Sequence, residues 1–187
     1  MLLAVAMLAP AAALSVEDES DSQNENDSQE VAVTNPLLLE WDGRFGGVPR
    51  FGAVEVTDFE PALEAAMAQQ RAELEAIANN RKKATFENTI EAMEDTGRQL
   101  GRVMAVYGVY LSTMSTPELR EVSQRMAPKL AAEYDWVIQN EALFARISDV
   151  YNSKKFAKLT PVQQRLTWRA HNNFVRRGAK LDAASKS

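Results

Sequence analysis

The chain has 187 residues, 45% of them hydrophobic, and no cysteine. That length suits one domain with a sizeable core, and the missing cysteine excludes disulfides, thiolate metal sites, a cysteine nucleophile and an acylated-cysteine anchor. The formal net charge of −5 is unevenly spread: Glu17, Asp18, Glu19, Asp21, Glu25, Asp27 and Glu30 fall in one tract without Lys or Arg, leaving 19 acids against 21 bases elsewhere. A body so close to neutral argues against nucleic-acid binding, which needs a basic face to displace counterions from phosphates.

Met1 to Leu14 is a continuous apolar run in which Ala11-Ala12-Ala13 fits an Ala-x-Ala cleavage site. Residues 1–14 are therefore expected to be a signal-peptide-like segment, although no Lys or Arg precedes the run. It is too short for a bilayer span, which takes about 20 residues, so no stable membrane anchor is expected. Residues 15–34 are expected to form an acidic disordered linker, since so few large apolar side chains cannot offset chain entropy. The tract has no glycine and no Asp-x-Asp-x-Asp-Gly spacing, against a calcium loop.

Folded sequence is expected over 35–187. Pro36, Gly43, Gly46, Gly47, Pro49 and Gly52 break up the stretch to position 52. Leu37, Leu38, Trp41, Phe45, Val48 and Phe51 lie among them, which predicts a loop pinned onto a surface. Helices follow. Thr57 and Glu60 have capping-box spacing, Pro61 suits a first turn, and Phe59, Leu63, Met67, Leu74 and Ile77 recur at helical steps until Asn79-Asn80. Phe86, Ile90, Met93, Gly97, Leu100, Met104, Tyr107, Leu111 and Met114 predict one long helix with a heptad seam, glycine 97 admitting a close neighbour.

Thr116-Pro117 opens another helix with Leu119, Val122, Met126, Leu130 and Val137 as its stripe and Pro128 as an expected kink. Asn140 caps a short helix carrying Leu143, Phe144, Ile147 and Tyr151. Thr160-Pro161 opens the last, through Val162, Leu166, Ala170 and Phe174, with a break at Gly178 and a possible resumption over Ala179 to Ala184. No run alternates strictly, so strands are not required. The fold class is all-α, an antiparallel bundle of about five to six helices behind an extended loop and a disordered N-terminal segment.

Catalytic signals are sparse. His171 is the single histidine, whereas a catalytic zinc usually takes two histidines or a cysteine among three ligands. Read alone, it is a solvated or hydrogen-bonded surface residue. No Gly-x-Ser-x-Gly elbow exists, and Ser112, Ser115 and Ser123 read as helix or turn residues. Glu73 with Glu75 and Glu91 with Asp95 read as solvated faces, partly matched by Arg71, Arg98 and Arg102. Arg165, Arg169, Arg176, Arg177 and Lys180 read as the solvent side of the last helix, with an acidic partner as the sharper alternative. No residue is assigned a catalytic, cofactor-binding or metal-ligating role.

The order of pieces carries more information. Asn35-Pro36-Leu37-Leu38, Val48-Pro49, Phe51, Thr57-Asp58-Phe59 and Thr85-Phe86-Glu87-Asn88-Thr89-Ile90 come in sequence. Ala127-Pro128-Lys129-Leu130-Ala131, Asn140 to Ile147 and Thr160 to Arg165 follow. This series resembles the N-terminal part of the thimet oligopeptidase and neurolysin family of zinc metallopeptidases, which includes oligopeptidase A and peptidyl-dipeptidase. Arg50 and Ala84 depart from prolines common in the family.

The resemblance implies a helical wall of a channel that admits short peptides. It implies zinc bound through His-Glu-x-x-His in a C-terminal catalytic part, with none bound by this chain and no turnover by this chain alone. The expectation is an exported enzyme, periplasmic or secreted, cut short of its metal site; a free-standing secreted helical peptide-binding or regulatory module is the alternative.

Overall fold

A computed structural model describes residues 35–42 and 47–178. The signal-like run, the acidic tract, Gly43, Phe45, Gly46, Lys180 and the stretch Ala179 to Ala184 lie outside the described residues.

Those residues are helical, with an isolated bridge between Asp42 and Val48 and no strand. The helices are α1 (Phe59–Ala78), the short α2 (Ala92–Asp95), α3 (Arg98–Thr113), α4 (Pro117–Gln139), α5 (Glu141–Tyr151) and α6 (Pro161–Arg176). A π-helical turn, Phe86–Glu91, runs directly into α2. The all-α bundle expected from periodicity is what forms.

The N-terminal loop is tied down as its apolar content predicted. Asn35 Oδ1 accepts from the Leu37 N–H at 3.0 Å while its Nδ2 donates to the Asp58 carbonyl at 2.9 Å. Gln99 donates to the Leu38 carbonyl at 3.1 Å, and the Tyr110 hydroxyl reaches the carbonyls of Phe51 and Val54. Leu37 and Leu38 are buried and Trp41 packs against them.

The start of α1 differs from the expected box. A 3-10 turn, Val56–Asp58, precedes the helix, and the reciprocal cap joins Glu55 and Asp58. Glu60 is drawn elsewhere, to Arg125 and Lys129 of α4. At the other starts the small polar residues do what their positions predicted. Thr116, Asn140 and Thr160 each accept the N–H three residues on, and Gln163 completes a box with Thr160. Pro128 lies inside α4, which spans 23 residues in all from Pro117 to Gln139.

The long helix expected over 86–114 is broken. Thr96 is extended and Gly97 is left-handed, with φ +68°. Its N–H donates to Glu73 Oε2 at 2.8 Å, and a Cβ there would fall 2.3 Å from the Gln70 side-chain nitrogen. The glycine does admit a close neighbour, but through a break that shifts the helical phase. Val103, Val106, Tyr107 and Tyr110 are buried, while Met104 and Met114 are 38% and 54% exposed.

Two cores result. One gathers Phe59, Leu63, Met67, Val103, Val106, Tyr107, Leu119, Val122 and Met126 beneath the N-terminal loop. The other gathers Leu74, Ile77, Phe86, Ile90, Ile138, Leu143, Ile147, Val150 and Phe174. α1 contributes to both. Val162, placed on the last helix's stripe, is 77% exposed, so the buried face of α6 is carried by Thr167, His171 and Phe174.

Candidate functional site

A groove of about 720 Å³ lies between segment 83–87 and the end of α5 with its following turn. One wall is Lys83, Thr85, Phe86 and Glu87; the other is Asp149, Asn152 to Phe156, and Leu159.

A single buried arginine sets the first wall. Arg146 Nη1 donates to the carbonyls of Asn80 at 2.6 Å and Lys82 at 3.0 Å. Its Nη2 donates to Asn88 Oδ1 at 2.9 Å and Thr89 Oγ1 at 3.2 Å. These are backbone and side-chain acceptors that the segment between α1 and the π turn cannot satisfy in a helix of its own, and a planar five-donor fork suits them. Thr85 and Asn88 then cap the π turn reciprocally. Glu87 is held below the usual carboxylate range by its own backbone N–H and the Thr85 hydroxyl, so it stays charged at the groove's edge.

The second wall rests on aromatic packing. Phe156 meets Tyr151 edge-on, and Tyr151 stacks on His171, which stacks on Phe144 in turn. His171 is therefore buried, contrary to the surface role expected for it. Its spacing from Thr167 and Phe174 puts it on the inner face of α6, a phase obscured by the polar Asn172 and Asn173. Lys83, Lys154 and Lys155 against Glu87 and Asp149 give the rim mixed charge over an apolar floor. Such a surface can hold an extended polypeptide; it carries no nucleophile–base pair and no cation cage.

A second cleft, of about 460 Å³, lies between the start of α1 and α4 and is lined by Glu60, Glu64, Glu118, Glu121 and Arg125. Arg125, with Lys129, holds Glu60 below the usual carboxylate range. Glu64 pairs with Lys129 as well. The cleft's charges are thus partly spent on joining α1 to α4.

The other residues singled out in the sequence are dispersed. Ser112 donates to the Val109 carbonyl. Glu73 is partly buried and bonded to Gly97 and Gln69, not solvated. Arg71 leaves the acidic face to pair with buried Glu133 and lies 4.7 Å from the Trp136 ring centroid. Arg165 covers Trp168, Arg177 covers Tyr134, and Arg169 approaches Glu94 at 3.8 Å. Residue type alone hid Arg146 and Glu133. Both nevertheless sit in core phase, Arg146 between Leu143 and Ile147, and Glu133 seven residues after Met126.

The zinc implied by the resemblance finds no matching donors. Among the described residues no three His, Cys, Asp or Glu side chains cluster to hold a metal, and the single imidazole is packed between rings. Also among the described residues, no helix is long and apolar enough to cross a membrane.

Residues 63–186 match the family described as Neurolysin/Thimet oligopeptidase, N-terminal domain. The chain is 33% identical over 157 residues to the dipeptidyl carboxypeptidase of Escherichia coli, covering 84% of this chain and 23% of that protein. The same enzyme of Salmonella typhimurium is 32% identical over 154 residues, 82% of this chain and 22% of its own length. Oligopeptidase A of Salmonella typhimurium is 28% identical over 149 residues, 80% and 21%. The chain thus spans about a fifth of the length of the curated relatives it matches.

Proposed function

Because the chain belongs to the neurolysin/thimet oligopeptidase family, as its N-terminal domain, we propose that it forms the helical substrate-channel wall of an exported, zinc-dependent oligopeptidase or peptidyl-dipeptidase acting on short peptides. The observation that carries this reading is the match over 63–186 to a domain whose relatives are named as peptidases. Zinc, its ligands and the general base belong to polypeptide beyond this stretch. The apolar run Met1 to Leu14 with its Ala-x-Ala supports export to the periplasm or outside.

Two measurements test the reading. The purified chain should not cleave an internally quenched peptide with or without added zinc; zinc-dependent turnover would overturn it. The reading frame following Ser187 should encode a His-Glu-x-x-His helix. A stop codon with no such remnant downstream would instead favour a free-standing peptide-binding module.

A further inference from the structure

The outer side of α3 presents a packing surface that no other described element covers. The helix buries Val103, Val106, Tyr107 and Tyr110 on one side, against α1 and the N-terminal loop. Its opposite side carries Gly101, Met104, Ala105, Gly108, Val109 and Ser112, all exposed. Met104 and Val109 are 38% and 42% exposed. A Cβ built on Gly101 or Gly108 would meet nothing within 4 Å.

Two glycines seven residues apart in a helix interior weaken it, since glycine is the poorest helix former after proline. Neither has a left-handed backbone, and nothing among the described residues approaches either. Small residues in a row beside exposed apolar ones are what lets a second helix backbone come close. The matched stretch makes up 21–23% of the curated relatives, so most of such a polypeptide lies outside this structure.

We infer that this face of α3 receives a helix from the catalytic remainder of the same peptidase, seated over Gly101 and Gly108 between Met104 and Val109. The inference rests on the channel-wall reading above. It adds which surface joins the two parts.

The test is a chimera. The matched N-terminal stretch of the Escherichia coli dipeptidyl carboxypeptidase is replaced by residues 35–187 of this chain, and dipeptide release and thermal unfolding are measured. The chimera should be active. Gly101→Leu with Gly108→Leu should then lower its kcat/KM about tenfold or more and lower its unfolding midpoint. In the isolated chain the same pair should keep the circular dichroism and raise the midpoint, because nothing among the described residues meets a Cβ there and leucine is a better helix former than glycine. Gly101→Ala with Gly108→Ala should raise the isolated chain's midpoint. An active chimera indifferent to the leucines would overturn the assignment of this face and leave the channel-wall reading standing. An inactive, unfolded chimera would overturn both. Self-association of the isolated chain abolished by the leucines would make a second copy the occupant and overturn the inference.

Discussion

Arg146 concentrates more structure than any other polar residue described. Five acceptors, from Asn80 and Lys82 after α1 and from Asn88 and Thr89 in the π turn, converge on its two terminal nitrogens. Removing the guanidinium would strand the part-buried carbonyls of Asn80 and Lys82 and the buried Thr89 hydroxyl, so Arg146→Ala should cost about 2–3 kcal/mol in urea unfolding. Arg146→Lys should recover little of it, because one ammonium cannot serve both sets of acceptors. Gly97 is constrained in a different way. At φ +68°, with the Gln70 amide where a Cβ would go, Gly97→Ala should lose about 1–2 kcal/mol, readable as a lowered denaturation midpoint. Neither residue could have been identified from type alone. A glycine inside an apolar repeat reads as a contact point, and an arginine reads as solvated until its phase is set against its neighbours.

Helix starts were the most legible elements because one side chain and one backbone N–H decide them locally. The two threonine–proline starts and Asn140 form as their chemistry dictates. Thr57 does not, since Glu60 is worth more to Arg125 and Lys129 across the bundle than to a backbone N–H. The caps therefore give a contrast: Thr160→Ala should destabilise by about 1 kcal/mol, while exposed Thr57→Ala should stay within about 0.5 kcal/mol, both by thermal unfolding. The seam over 86–114 was the least legible element. Its heptad steps are real in the sequence, but Thr96 and Gly97 reset the phase. Leu100 and Leu111 keep partial contact with the core, and Met104 and Met114 lose it. A repeat read along one chain cannot register a break that depends on Glu73 of another helix capturing the Gly97 N–H.

In the molecule as a whole, α1 and α4 are joined by charge as well as by apolar packing. Glu60 ionises more readily in the folded chain than in the unfolded one, chiefly through its bond to Arg125. The unfolded state therefore takes up its proton first as pH falls. The stabilisation is present above the ordinary carboxylate range and is lost as pH drops through the lowered folded value. Glu60→Gln should consequently lose less stability than the parent chain between about pH 7 and about pH 3. The side chain is 26% exposed, so the difference should stay below about 1 kcal/mol in denaturant titrations at each pH. The fold class and the family could be read from periodicity and from the order of short motifs. The groove could not, because its walls come from segments some 60 residues apart held by Arg146.

One rod threads both greasy interiors: Leu63 and Met67 serve the first, Leu74 and Ile77 the second. Neither half can melt while the other keeps its shared backbone straight. Trp41 reports on one and Trp136 on the other, so their fluorescence, read in variants retaining a single indole, should collapse at a common temperature.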